Sequence, residues 1–127
     1  MPRDRHHRGA MPLHSAVRIT TYVPAEHRAA VVAGIHAAIG PRPDRRYDQV
    51  AWWSDAWTEQ FRPLAGARPT TGTIGEIAQV PTVRVEVVVP ADESLVERII
   101  AEGIRPHHPW EVPVVIVDAV RVDAGVL

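Results

Sequence analysis

Cysteine and lysine are both absent from this 127-residue chain, and each absence removes a class of chemistry. Without a thiol there is no disulfide, no thiolate nucleophile and no cysteine-built zinc or iron–sulfur site. Without lysine there is no Schiff base and no lysine-type phosphate cradle. All 14 basic residues are arginine, a bias consistent with GC-rich codon usage, and they face 15 carboxylates for a net charge of -1. That balance excludes an electrostatic grip on nucleic acid. Long hydrophobic runs are missing too: nothing approaches the roughly 18 apolar residues of a membrane helix. The opening Met1-Pro2-Arg3-Asp4-Arg5-His6-His7-Arg8 leads into no apolar signal-peptide core. The expected location is cytoplasmic, with no membrane and no nucleic acid among the partners. Histidine, carboxylate, tyrosine, hydroxyl and arginine remain to do chemistry.

What is present suits one folded domain, with 46% hydrophobic and 23% charged residues. Residues 1–15 are polar and aperiodic and read as a flexible arm, in which His6, His7 and His14 are solvated; residues 16–127 form the domain. Residues 17–23 alternate and are rich in β-branched side chains, which predicts a strand ended by Pro24. From Ala25 to Ile39 the period becomes helical, with Val31, Val32, Ile35 and Ile39 on one stripe and Gly40-Pro41 as the stop. His27 and His36 are nine apart and do not share a face, so both are expected at the surface. Residues 49–54 have strand character, and Trp57 to Phe61 continue or pair with them. The Gly- and Pro-dense stretch 62–75 predicts an ordered loop or bent hairpin. The clearest strand is 80–89, with Val83, Val85, Val87 and Val89 on one face. A second helix starts at Asp92 or Ser94 and stops at Gly103, and residues 114–122 form a last strand.

This order is β-α-β-β-α-β, an α+β ferredoxin-like sandwich with a four-stranded antiparallel sheet and two helices on one face. The helices leave the other sheet face open. Placing the more apolar sets under the helices puts Arg18, Thr20, Tyr22, Arg84, Glu86 and Val88 on that open face. Trp52, Trp53 and Trp57 add apolar area nearby, so association with further copies of the chain, as a trimer or dimer, is expected.

His108-Pro109-Trp110-Glu111-Val112-Pro113 resembles the His-Pro-Tyr-Glu-Val-Pro signature of CutA-type proteins, within the PII-like group of ferredoxin-like oligomers. Tyr22-Val23-Pro24-Ala25-Glu26-His27, Tyr47-Asp48 and the run from Phe61-Arg62-Pro63 through Pro69-Thr70-Thr71-Gly72 to Glu76 are similar to the CutA-like insert domain of Nif-three-like proteins, which also exists free-standing. The resemblance covers residues 17–122. It departs at residues 54–60, where relatives are glycine-rich, and at Trp110, which stands for tyrosine. It implies the ferredoxin-like fold and either divalent metal binding, copper in the CutA branch, or small-molecule sensing. The dinuclear metal site of Nif-three-like proteins belongs to another domain and does not transfer.

Three groups of residues carry candidate chemistry. His108 and Glu111 can ligate a divalent ion such as copper or zinc, or act as an acid–base pair; equally, both can hold their proline-interrupted loop by hydrogen bonds. Arg62 can clamp a carboxylate or phosphate while Asp48, Glu59 or His108 handles a proton; the structural counterpart is an Arg62–Glu76 ion pair with Tyr47 at a subunit contact. Trp52, Trp53, Trp57 and Trp110 can line a pocket or pack in a core or interface. No phosphate-binding glycine loop, Gly-x-Ser-x-Gly elbow or His-Glu-x-x-His helix is present. The expectation is therefore an oligomeric binder of a small ligand or divalent metal at a subunit junction, with Tyr47, Arg62, Glu76, Trp57 and Trp110 at the ligand. The alternatives are a small hydrolase, isomerase or lyase using His108, Glu111 and Asp48, and a structural interaction protein.

Overall fold

The computed structural model describes residues 12–123, so residues 1–11 of the expected arm lie outside it. The chain forms five strands, β1 (His14–Val23), β2 (Trp52–Trp53), β3 (Trp57–Phe61), β4 (Ala78–Pro90) and β5 (Val115–Val122), and two helices. Helix α1 is Arg28–Ile39, entered through a 3-10 turn at Ala25–His27. Helix α2 is Glu93–Arg98, which widens into π turns at Ile99–Ile104 and tightens into a 3-10 turn at Arg105–His107. The first strand begins at His14 rather than residue 17, because His14 and Ser15 pair with Val122 and Arg121 of β5.

The sheet is wholly antiparallel in the order β2-β4-β1-β5, with β3 also paired to β4. It has five strands where four were expected, and the extra one has a local cause. Gln49 adopts φ 59, outside extended geometry, so only Trp52–Trp53 of the expected 49–54 run pairs with β4. Between the pairs Trp53↔Val85 and Trp57↔Thr82, one extra residue accumulates on the outer strand, the signature of a bulge. There the Ser54 N–H donates to the Arg84 carbonyl at 3.0 Å while Ser54 Oγ accepts from the Arg84 N–H at 2.9 Å. A side chain thus supplies a ladder bond that the broken backbone cannot.

Cross-strand pairs fix the faces. Val17, Ile19, Thr21 and Val23 oppose Val89, Val87, Val85 and Val83, and these valines, Ile19 and Val23 form the core with Val31, Ile35, Leu95, Val96, Ile99 and Ile104. Arg18, Thr20 and Tyr22 oppose Val88, Glu86 and Arg84 on the other face, as the alternation predicts. Arg18 is held by Asp118 of β5 at 3.0 Å.

The two helical segments meet at backbone distance. A Cβ on Gly103 would stand 2.9 Å from Ile35 Cα, and one on Gly34 would overlap the Gly103 carbonyl oxygen and His107 Nδ1. The helical path consequently continues past Gly103, which was expected to end it. His107 Nδ1 closes the turn on the Gly103 carbonyl at 2.9 Å. Asp92 is the N-cap, accepting from the Ser94 and Leu95 N–H groups through Oδ1.

Candidate ligand-binding site

Residues 78–82 of β4 extend beyond the β1 pairing and are matched by β3 alone. This ribbon carries Phe61 and Glu59 opposite Ala78 and Val80, and the chain then turns through Pro63 and the loop 62–77. The loop is tied to the segment before β5 by two bonds: the Arg68 N–H donates to Glu111 Oε1 at 2.9 Å, and Thr70 Oγ1 donates to the Pro109 carbonyl at 2.8 Å. Ribbon, loop and segment line a half-open cavity of about 200 Å³. Its apolar walls include Phe61, Pro63, Pro69, Trp110, Val112 and Val114, and its charged groups are Glu59 and Glu111. The Phe61 and Trp110 rings meet at 5.5 Å, tilted by 53°.

His108 stands beneath this site. It is buried; its Nε2 lies 2.7 Å from the Tyr22 carbonyl oxygen, and its Nδ1 accepts from the Trp110 N–H at 3.2 Å. The carbonyl can only accept, so Nε2 carries the proton and the ring is the neutral Nε2–H tautomer. Burial pushes its pKa below the ordinary histidine value, opposed by the bond to Tyr22 and assisted by His27. Nε2 thus ties the pre-β5 segment to β1 while Nδ1 closes a turn within that segment, and the ring packs at 5.4 Å from Trp110. Among the described residues no group of three or more histidine or carboxylate side chains could hold a metal ion.

The remaining candidate residues are dispersed. Tyr47 and Asp48 line a separate cavity of about 30 Å³ with His36, Arg42 and Val88. Val88 opposes Arg18 on β1, whereas His108 bonds Tyr22. Four strand residues separate those levels, on the order of 13 Å. His36, expected at the surface, is buried, and its Nε2 finds no hydrogen-bond partner. Desolvation lowers its pKa while Asp48 opposes the shift. Trp57 sits on the open face, 6.2 Å from the Tyr22 ring and under the Arg84 guanidinium at 5.0 Å. Arg62 and Glu76 are exposed and form no ion pair with each other.

Glu59 is the lining carboxylate that sequence reasoning gave only a passing proton-handling role. Burial raises its pKa, opposed by a bond from Thr82 Oγ1 at 3.3 Å. Phe61, two residues on and so on the same face, was legible as a wall residue only once the pre-β5 segment was seen to lie over it.

This architecture is an antiparallel α+β sandwich that recurs in solved structures. A Bacillus cereus protein related to NIF3 superposes with a TM-score of 0.61 and 25% identity over 91% of this chain and 28% of that one. A CPII protein of Thiomonas intermedia, solved with ADP and bicarbonate, gives a TM-score of 0.54 at 15% identity, covering 91% of this chain and 95% of that one.

Among curated proteins, the chain is 40% identical over 92 residues to a Mycobacterium leprae protein named GTP cyclohydrolase 1 type 2 homolog. It is 33% identical over 94 residues to the Bacillus subtilis protein of that name. These matches cover 72% and 74% of this chain but 23% and 24% of those proteins, so the chain spans about a quarter of their length. No family model matches it.

Proposed function

We propose that this chain is a small-ligand-binding module of the CutA/PII-like kind, similar to the inserted domain of Nif-three-like proteins, and that it works as a homo-oligomer. On this reading β2 and β3 are one edge strand of a ferredoxin-like split βαβ unit, interrupted by the Ser54 bulge. The observation that supports ligand binding most is the 200 Å³ cavity between β3, the loop 62–77 and the pre-β5 segment. It has the composition of a binding pocket, apolar and aromatic walls with few polar groups.

His108 then serves the site by position, holding Trp110 and Glu111 over β3. A divalent ion at His108 and Glu111 would first have to displace whichever hydrogen bond occupies the ligating ring nitrogen, to the Tyr22 carbonyl or from the Trp110 N–H. A small enzyme using His108 with Asp48 would need to bridge the separation between their levels of the sheet within one chain. Neither alternative gains a specific observation in its favour.

Fragment screening by 1H–15N NMR tests the proposal. Shift changes clustered on the Trp110 indole and the Thr70, Thr71 and Val112 amides are the expected result. Absence of any binder at these residues would overturn it.

A further inference from the structure

The chemistry of this cavity narrows what it can hold. Its two charged groups, Glu59 and Glu111, are both acidic, and no arginine or histidine side chain lines it. Neither carboxylate forms an ion pair among the described residues. Their hydrogen bonds, from Thr82 and from the Arg68 N–H, fall on Oε1 of each and leave Oε2 of each without one. The site therefore has spare acceptors and lacks a compensating cation. Trp110 and Phe61 contribute aromatic walls whose π-faces are themselves attractive to positive charge. Size sets the scale: a cavity of about 150 Å³ takes a benzene-sized ring, so a half-open pocket of about 200 Å³ accommodates one ring with a substituent.

Taking the binding role above as its premise, we infer that the ligand is a small planar cation, an aromatic or heteroaromatic ring bearing an amidine-like or amino group, that stacks by Trp110 and donates hydrogen bonds to Glu59 and Glu111. A carboxylate or phosphate ligand is disfavoured by the same two charges. The burial that raises the Glu59 pKa agrees with a carboxylate missing its counter-charge.

Three probes of one shape and different charge test this: benzamidine, benzamide and benzoate, each titrated against the unmodified protein and followed at the Trp110 indole N–H by NMR. Benzamidine is expected to bind at least about tenfold more tightly than benzamide, the lower range for a charge-assisted hydrogen bond, and benzoate more weakly than either. Glu59→Gln and Glu111→Gln should each bring benzamidine towards benzamide, since glutamine keeps the shape and the acceptor but loses the charge. Equal binding of the three probes, or tightest binding of benzoate, would overturn the cationic assignment and leave the cavity as a ligand site. Failure of all three to shift Trp110 while the fragment screen finds other binders there would overturn this inference and leave the binding role; failure of both experiments would remove the two together.

Discussion

At the scale of single residues, His108 shows how one side chain can be read two ways until its neighbours are known. A histidine three residues before a glutamate has the appearance of a ligand or acid–base pair. Its ring nitrogens, however, bond the Tyr22 carbonyl and the Trp110 N–H. His108→Ala strands a buried carbonyl and opens a cavity, for an expected cost of roughly 2–3 kcal/mol in urea unfolding. The pH dependence follows from the direction of the shifts. Both His108 and His36 have lowered pKa values in the folded state, so between those values and about 6.5 the unfolded chain binds more protons. Stability is therefore full above that range and falls as pH drops through it. Thermal unfolding between pH 7.5 and 5.5 should show this fall, and His108→Ala should flatten it. Glu59 acts in the opposite sense, its raised value favouring the folded state at acidic pH. Glu59→Gln is accordingly expected to leave the melting temperature at pH 7 unchanged or higher.

At the scale of elements, the contact between α1 and the π turns after α2 depends on the absence of two side chains. Gly34 and Gly103 let backbone approach backbone, and at Gly34 the His107 ring as well. Gly34→Ala gains helix propensity yet forces a shift against the Gly103 carbonyl and His107, and overpacking of this kind costs about 1–3 kcal/mol. A chemical denaturation midpoint unchanged by the substitution would show that the two segments can separate freely. The bulge at Ser54 has a comparable role on the outer edge of the sheet. It allows Trp52 and Trp57, five residues apart, both to lie on the open face, because the extra residue restores the parity that a regular strand would break.

At the scale of the whole molecule, the open sheet face is the unfinished part. Trp52 and Trp57 remain 48% and 47% exposed, and Ile116, opposite Thr20 on β1, 41% exposed. Apolar residues grouped on one face favour association, whereas the same residues scattered singly would not. Sedimentation velocity should find a trimer or dimer, and Ile116→Glu should shift it towards monomer without loss of far-ultraviolet circular dichroism. A monomeric parent protein would remove the oligomer from the proposed function while leaving the cavity, whose walls come from one chain, unaffected.

Much of the fold was legible in the sequence because its signals are local. The valine alternation in β4 and the β-branched alternation in β1 assigned each strand's two faces correctly, since strand geometry gives a period of two whatever the surroundings. Asp92 and Ser94 marked a helix start because capping needs only a short polar side chain in reach of the first N–H groups. Tertiary structure decided the rest. The burial of His36, the continuation of the helical path past Gly103 and the grouping of Glu59 and Phe61 with Trp110 and Glu111 each depend on segments far apart in the chain. The sequence nominated His108, Glu111, Tyr47, Asp48 and Arg62 for one site on chemical grounds. Folding placed His108 and Glu111 at one end of the sheet and Tyr47 and Asp48 near the other, because a strand's rise separates residues that composition alone treats as neighbours.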